Sequence, residues 1–119
     1  MSDPATVHVY KILSAPDWSA ALARGHTHTA LDLADGYVHL STREQVAETL
    51  RLHYRGQHDV RLLEYVFAHL KPNIRWEESR GGQLFPHLYA PLKPADARRT
   101  WILNCDAEGV PQLPGDIDP

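Results

Sequence analysis

The sequence has 119 residues, of which 43% are hydrophobic and 23% charged, and its formal net charge is −3 at pH 7. This composition is typical of one soluble globular domain and argues against disorder and against general attraction to nucleic acid or acidic membranes. A single cysteine excludes an internal disulfide and a thiolate metal cluster. The chain shows no signal-peptide pattern and no apolar run near the roughly 20 residues that span a bilayer, so we expect a cytoplasmic protein.

The first half of the chain predicts strands and helices in alternation. The predicted elements are a strand over residues 7–13, a helix from Pro16 to Arg24, a strand over 37–40 and a helix from Thr42 to about Tyr54. Gly25 would end the first helix, and Ser41 with Glu44 would form a capping box at the start of the second. Residues 26–35 are ambiguous between a loop and a short turn.

The second half predicts three strands, an irregular loop and an acidic tail. The predicted segments are strands over residues 60–67, 74–77 and 98–105, a 17-residue loop over 78–94 and a tail over 106–119 that frays at its end. Because the strands cluster late in the chain, the order predicts an α+β domain with a mainly antiparallel sheet. We expect one domain, residues 1–119, with its globular part at about 7–105.

His39 is a titratable side chain at the end of an apolar strand, directly before a helix N-terminus. Its imidazole could bind a ribose hydroxyl, while Ser41, Thr42 and the free N–H groups of the helix could bind a phosphate or a carboxamide. The alternative is a half-buried His39 that is bonded to a neighbouring strand, with Ser41 serving only as a cap.

The segment from Glu77 to Tyr89 concentrates polar and aromatic side chains. Glu77 and Glu78 would point to opposite faces of a strand end, so one of them would face a cleft. The residues that could line this cleft as an anion-binding turn, a stacking wall and a hydrogen-bonding group are Arg80, Gly81, Gly82, Phe85, His87 and Tyr89. The alternative is a surface hairpin in which Glu and Arg pair in solvent.

The remaining motifs favour no cofactor chemistry. His26 and His28 have a spacing that could chelate a metal, but no third ligand is evident nearby. The chain contains neither a P-loop nor a GxSxG or GxGxxG motif. Cys105 lies in an apolar run that favours a buried, inert thiol. We therefore expect no metal, flavin or haem.

The stretches DGYVHLST, residues 35–42, and WEESRGGQLFPHLYAPL, residues 76–92, resemble the small bacterial family named domain of unknown function 952. The resemblance covers about residues 8–105. The fold of that family is similar to the ADP-ribosyltransferase fold. This implies a curved, split antiparallel sheet with two to three helices and a central cleft that grips NAD.

The resemblance also implies roles for individual residues. His39 matches the histidine that holds a ribose hydroxyl, and Ser41 or Thr42 matches the hydroxyl position just after it. The catalytic glutamate falls on Glu77, with Glu78 as the second choice. Binding of an NAD-type or ADP-ribosyl nucleotide would follow, with transfer of ADP-ribose or a 2′-phosphate to an unidentified acceptor.

The sequence departs from the ADP-ribosyltransferase pattern at two points. Leu40 stands where many of these enzymes have a glycine that clamps the nicotinamide amide. No tyrosine is clearly placed to stack on nicotinamide, although Tyr54, Phe85 and Tyr89 could each serve. Arg80 would hold the diphosphate, and His87 would orient Glu77 or act as an acid. Whether the protein is an enzyme is left open, and the alternatives are a non-catalytic module that binds a nucleotide or peptide, and a structural protein.

Overall fold

A computed structural model describes residues 6–117, except for the side chain of Arg80. Its strands and helices are β1 (His8–Leu13), α1 (Ala15–Arg24), α2 (Ala30–Asp35), β2 (Val38–His39), α3 (Arg43–His53), β3 (Arg61–Val66), α4 (Phe67–Leu70), β4 (Ile74–Glu78), β5 (Leu84–Leu88) and β6 (Arg99–Ile102). Short 3₁₀ turns occupy Lys71–Asn73, Arg80–Gly82 and Pro94–Asp96. The predicted α+β class is confirmed, with four helices in the described part rather than two to three. None of these helices has the length and apolarity needed to cross a membrane.

The strands form two three-stranded antiparallel sheets. Their orders are β1-β3-β6 in the first sheet and β2-β5-β4 in the second. The two sheets meet where the backbones of Tyr10 and Ser41 exchange hydrogen bonds of 2.8 and 2.9 Å. This junction holds the end of β2 beside the edge strand of the first sheet.

Two clusters of buried side chains form the core. Because side chains alternate along a strand, β1 and β3 contribute to both clusters. The first cluster consists of Val9, Leu13, Ala21, Val38, Leu40, Leu63, Tyr65, Phe67, Leu88 and Leu92. The second consists of Tyr10, Ile12, Val46, Leu50, Val60, Leu62, Leu103 and Ile117. The first cluster packs against the inner face of the second sheet and leaves the outer face of that sheet for the site.

The chain after β6 packs against the domain. Val110 and Ile117 are buried, and the indole N–H of Trp101 donates to Asp116 Oδ1 at 2.9 Å. The predicted fraying concerns the end of the tail, and residues 118–119 lie outside the described residues.

The predicted capping box is shifted by one residue. Thr42, rather than Ser41, is the N-cap of α3, and Gln45 rather than Glu44 completes the box by accepting from the Thr42 backbone N–H at 3.0 Å. Ser41 is unavailable as a cap because its backbone pairs with Tyr10.

The prediction of an irregular loop over residues 78–94 is also wrong for the first half of that range, which forms a hairpin. The Ser79 N–H donates to Gln83 O at 2.9 Å, and β5 then runs through Pro86. Pro86 O accepts from Leu40 N at 3.1 Å, but proline has no N–H to return. The ladder with β2 therefore stops at His39, which is why β2 has two residues.

Candidate functional site

The outer face of the second sheet carries a cluster of polar and aromatic side chains. Val38 and Leu88 belong to the core, and alternation places their neighbours His39 and His87 on the opposite face, as direct cross-strand partners. We call this cluster the polar face, and it consists of Tyr37, His39, Arg75, Glu77, His87 and Tyr89. All of these residues come from β2, β4, β5 or the positions next to them.

His39 is fixed by two carboxylates from α2. Its Nδ1 lies 2.6 Å from Asp32 Oδ1 and its Nε2 lies 2.9 Å from Asp35 Oδ2. Carboxylates only accept hydrogen bonds, so this geometry favours an imidazole that carries hydrogens on both nitrogens. The side chain of Asp32 is 8% exposed and that of Asp35 41% exposed. A ligand could therefore replace Asp35 at Nε2 more readily than Asp32 at Nδ1.

Lys11 balances the buried carboxylate of Asp32. Its Nζ lies 2.8 Å from Asp32 Oδ2 and donates to His39 O at 3.1 Å. Burial would raise the pKa of Asp32, but the hydrogen bonds from His39 and Lys11 outweigh it and lower that pKa to about 2. Burial also lowers the pKa of Lys11 from its ordinary value. The result is a hydrogen-bonded chain of Lys11, Asp32 and His39 that holds the end of β2.

Glu77 is oriented by two hydrogen-bond donors. Its Oε1 lies 2.8 Å from His87 Nδ1 and accepts from the Tyr89 hydroxyl at 2.8 Å. The bond from His87, followed by that from Tyr89, lowers the pKa of Glu77, so the carboxylate is ionised at neutral pH. Its side chain is 37% exposed, and no described residue donates to the second oxygen. One carboxylate oxygen thus remains for a ligand.

Tyr37 lies over the imidazole of His87. The two rings stack with centroids 4.1 Å apart and planes 22° apart, and the Tyr37 ring is also 4.6 Å from that of His39. Burial, followed by the nearby carboxylates, raises the pKa of Tyr37, so it is a neutral phenol. His87 is 1% exposed, and its Nε2 has no hydrogen-bond partner among the described residues.

Arg75 supplies a positive charge at the edge of the polar face. Its guanidinium lies over the ring of Tyr89, 4.7 Å from the centroid, in a cation–π contact. Arg75 is exposed and sits directly opposite His87 in the pairing of β4 with β5.

An open cavity of about 340 Å³ adjoins the polar face. It lies between α2 and the end of β5, and its lining residues are Thr27, His28, Asp32, Leu33, Gly36, Tyr37, Val38, Leu88, Tyr89 and Ala90. Tyr37 and Tyr89 border both the cavity and the polar face. A ligand on the polar face could therefore extend into this cavity.

The structure brings together five of the residues that the sequence singles out, four in the polar face and Phe85 beside them. His39, Glu77, His87 and Tyr89 share the polar face, because β2 and β4 both pair with β5. Their roles in binding or catalysis stay predictions.

Other predicted site residues have structural surroundings of their own. Ser41 is buried at the junction of the sheets and Thr42 caps α3. Gly81 and Gly82 form the hairpin turn with φ values of 68° and 76°, which favour glycine. Phe85 is the direct cross-strand partner of Glu77, so it lies on the same sheet face as the polar face, where it is buried. The predicted role of Arg80 falls on a side chain outside the described part.

Five residues of the site were not identified from the sequence: Lys11, Asp32, Asp35, Tyr37 and Arg75. Tyr37 precedes His39 by two residues, so strand alternation could have placed it on the same face. Lys11 interrupts an apolar strand in the same way as His39, so the same pattern could have marked it as a candidate site residue. Asp32 and Asp35 lie in the segment whose structure was ambiguous.

Within residues 6–117, no group of three or more His, Cys, Asp or Glu side chains is arranged to hold a metal ion. The absence of a metal remains a prediction. Cys105 is half-buried rather than buried, and its Sγ contacts Gln57 O at 3.3 Å.

Comparison with known proteins gives a family and close structural relatives. The sequence profile of the family described as "Protein of unknown function (DUF952)" matches residues 12–100. The crystal structure of CC0527 from Caulobacter crescentus is similar with a TM-score of 0.83 and 48% identity, over 89% of this chain and 94% of that one. Its solution NMR structure gives a TM-score of 0.78 at 48% identity, over 89% and 92%. None of the curated proteins matches the chain.

Proposed function

This chain belongs to the DUF952 family, and from its site we propose that it binds an NAD-type or ADP-ribosyl nucleotide on the polar face. The observation that carries the proposal is the state of Glu77, which is ionised and oriented by His87 and Tyr89 on the same sheet face as His39. Such a carboxylate can accept a hydrogen bond from a ribose hydroxyl.

The same carboxylate suits transfer chemistry. Breaking the bond between a pyridinium base and ribose develops positive charge on the sugar, as in glycoside cleavage, and a fixed carboxylate stabilises that charge. Glu77 would supply it through the oxygen that no described residue occupies.

Other groups on the polar face have matching roles. A ribose hydroxyl would displace the exposed Asp35 carboxylate from His39 Nε2 and accept the hydrogen bond in its place. Arg75 would bind a phosphate, and the rings of Tyr37 and Tyr89 would offer faces to a planar base.

One observation favours a second candidate, a non-catalytic module that binds the nucleotide. In ADP-ribosyltransferases the residue after the histidine offers its backbone to the nicotinamide amide, according to the resemblance above. Here the N–H of Leu40 donates to Pro86 O at 3.1 Å. Its backbone donor is therefore occupied, and a nucleotide could bind without nicotinamide being positioned for cleavage.

The test is a binding and turnover experiment on the wild type, Glu77→Gln and the control Glu78→Gln. The control is adjacent and exposed, on the opposite face of β4. NAD, NADP, ADP-ribose, AMP and a 2′-phosphorylated RNA end would each be added during thermal unfolding. A ligand at 100 times its Kd should stabilise the wild type by about 2.7 kcal/mol.

We expect Glu77→Gln to bind more weakly and, if the wild type turns NAD over, to lose roughly 100- to 1,000-fold in rate, since one electrostatic contact to the developing charge is lost. Glu78→Gln should behave as the wild type. If no nucleotide stabilises the wild type, the proposal is wrong. Binding without turnover selects the non-catalytic module.

A further inference from the structure

His87 has one ring nitrogen engaged and the other unused. Nδ1 faces Glu77 Oε1 at 2.8 Å, and because a carboxylate only accepts, this nitrogen carries a hydrogen. Nε2 is buried without a hydrogen-bond partner among the described residues. Leaving a polar atom buried and unpaired is unfavourable, so such an atom in a polar cluster points to a use for it.

The burial of Nε2 indicates that this nitrogen carries no hydrogen. If Nε2 also carried a hydrogen, the ring would be a cation with a buried, unsatisfied N–H, which costs more than an unpaired lone pair. The favoured form is therefore the neutral imidazole with its hydrogen on Nδ1 and a lone pair on Nε2. A carboxylate that fixes this tautomer is the arrangement that lets an imidazole act as a general base.

Tyr37 covers one face of the His87 ring. It stacks on the His87 ring at 4.1 Å, and it is half-buried. No described residue forms a hydrogen bond with its hydroxyl, so it can move aside without losing one. The chain enters Tyr37 from Gly36, which has a φ of 83° and ends α2.

We propose that His87 is a proton acceptor, that Glu77 positions it, and that Tyr37 is a removable cover over it. When Tyr37 moves aside, Nε2 takes the proton of a bound hydroxyl, from water or an alcohol. The freed oxygen forms a bond to an electrophilic carbon, and the bond from that carbon to its leaving group breaks, with the electron pair going to the leaving group. The proton then passes from Nε2 to solvent. The identity of the electrophile, a ribosyl carbon, rests on the proposed function. The protonation of His87 and the covering role of Tyr37 do not rest on it.

The test uses the protein without any ligand. Diethyl pyrocarbonate acylates accessible, unprotonated imidazole nitrogens, and mass spectrometry of peptides locates the modified histidine. His87 should react slowly in the wild type. Reaction through transient opening follows the population of the open state, so Tyr37→Ala should react at least about tenfold faster. Tyr37→Phe keeps the stacking ring and should react as the wild type. His58 is exposed and serves as an internal standard.

Nitrogen-15 NMR of the imidazoles in the same proteins gives the second readout. We expect an unprotonated Nε2 and a protonated Nδ1 for His87 in the wild type at neutral pH. A protonated Nε2, or a rate for His87 that does not differ between wild type and Tyr37→Ala, would overturn the proposal. If Tyr37→Ala does not fold, Tyr37→Leu takes its place. A nucleotide scan without binding would refute the proposed function and leave these two readouts untouched.

Discussion

At the scale of single residues, Asp32 determines the geometry of the site more than any group on the polar face itself. Its two oxygens receive hydrogen bonds from the backbone and ring of His39 and from Lys11. Without Asp32, the charge of Lys11 and the N–H donors of His39 would be unpaired in a poorly solvated place. The three residues therefore depend on one another.

The low pKa of Asp32 predicts how stability changes with pH in Asp32→Asn. The fall from 3.8 to about 2 corresponds to roughly 2 kcal/mol of stability. A depressed pKa contributes stability above the unfolded value and loses it as pH falls toward the folded value. Urea unfolding should therefore show the variant less stable by about that amount at pH 6, with the gap closing between about pH 4 and 2. A gap of constant size down to pH 2 would contradict this account.

The sequence reveals some of these residues and hides others for a physical reason. His39 could be identified because a polar side chain interrupts an apolar strand. Asp32 could not, because its partners His39 and Lys11 are 7 and 21 residues away and it lies in a segment without clear periodicity. Pairs that form only after the chain folds leave no local pattern.

At the scale of elements, β5 is central to the site although its sequence resembles a loop. Gly81, Gly82 and Pro86 are turn and breaker signals, and proline is rare in the middle strand of a sheet. Here Pro86 is tolerated because the ladder to β2 ends beside it. The helix α1 was predicted correctly within one residue, since Ser14 and Gly25 carry ordinary cap signals.

Gly36 links α2 to β2 and predicts a measurable cost for Gly36→Ala. Its φ of 83° is left-handed, while no atom lies within 4 Å of an added Cβ, so strain alone should act. We expect a loss of about 1–2 kcal/mol in urea unfolding. Gly115→Ala is the control, because that site is equally open and has no left-handed φ, and it should change stability little. Equal losses of stability in both variants would show that the left-handed φ of Gly36 is not the cause of the loss.

At the scale of the whole molecule, the chain beyond β6 completes the second core cluster. Ile117 is 9% exposed and packs with side chains from β1, β3 and α3. The acidic, proline-bearing composition of this segment predicts a tail, because its few apolar residues have no strand or helix spacing. Only the packed structure shows that they have a place in the core.

Ile117→Ala should therefore destabilise the domain by about 2 kcal/mol, through lost burial and the cavity that remains. Ile102→Ala offers a matched control, since Ile102 is 59% exposed in β6, and should cost at most about 1 kcal/mol from strand propensity. Both values come from denaturant unfolding monitored by tryptophan fluorescence. If Ile117→Ala costs no more than its control, the segment does not stabilise the fold.

The strand β4 is an outer strand of the second sheet, and its charges have a consequence for solubility. An edge strand presents unpaired backbone groups that can template aggregation, and charged side chains along it discourage a second molecule from adding there. Three of the five residues of β4, Arg75, Glu77 and Glu78, are charged. Two of them belong to the polar face, so the residues proposed to bind a nucleotide also disfavour edge-to-edge association through β4. Replacing both with neutral residues would remove a ligand contact and a safeguard against self-association at once.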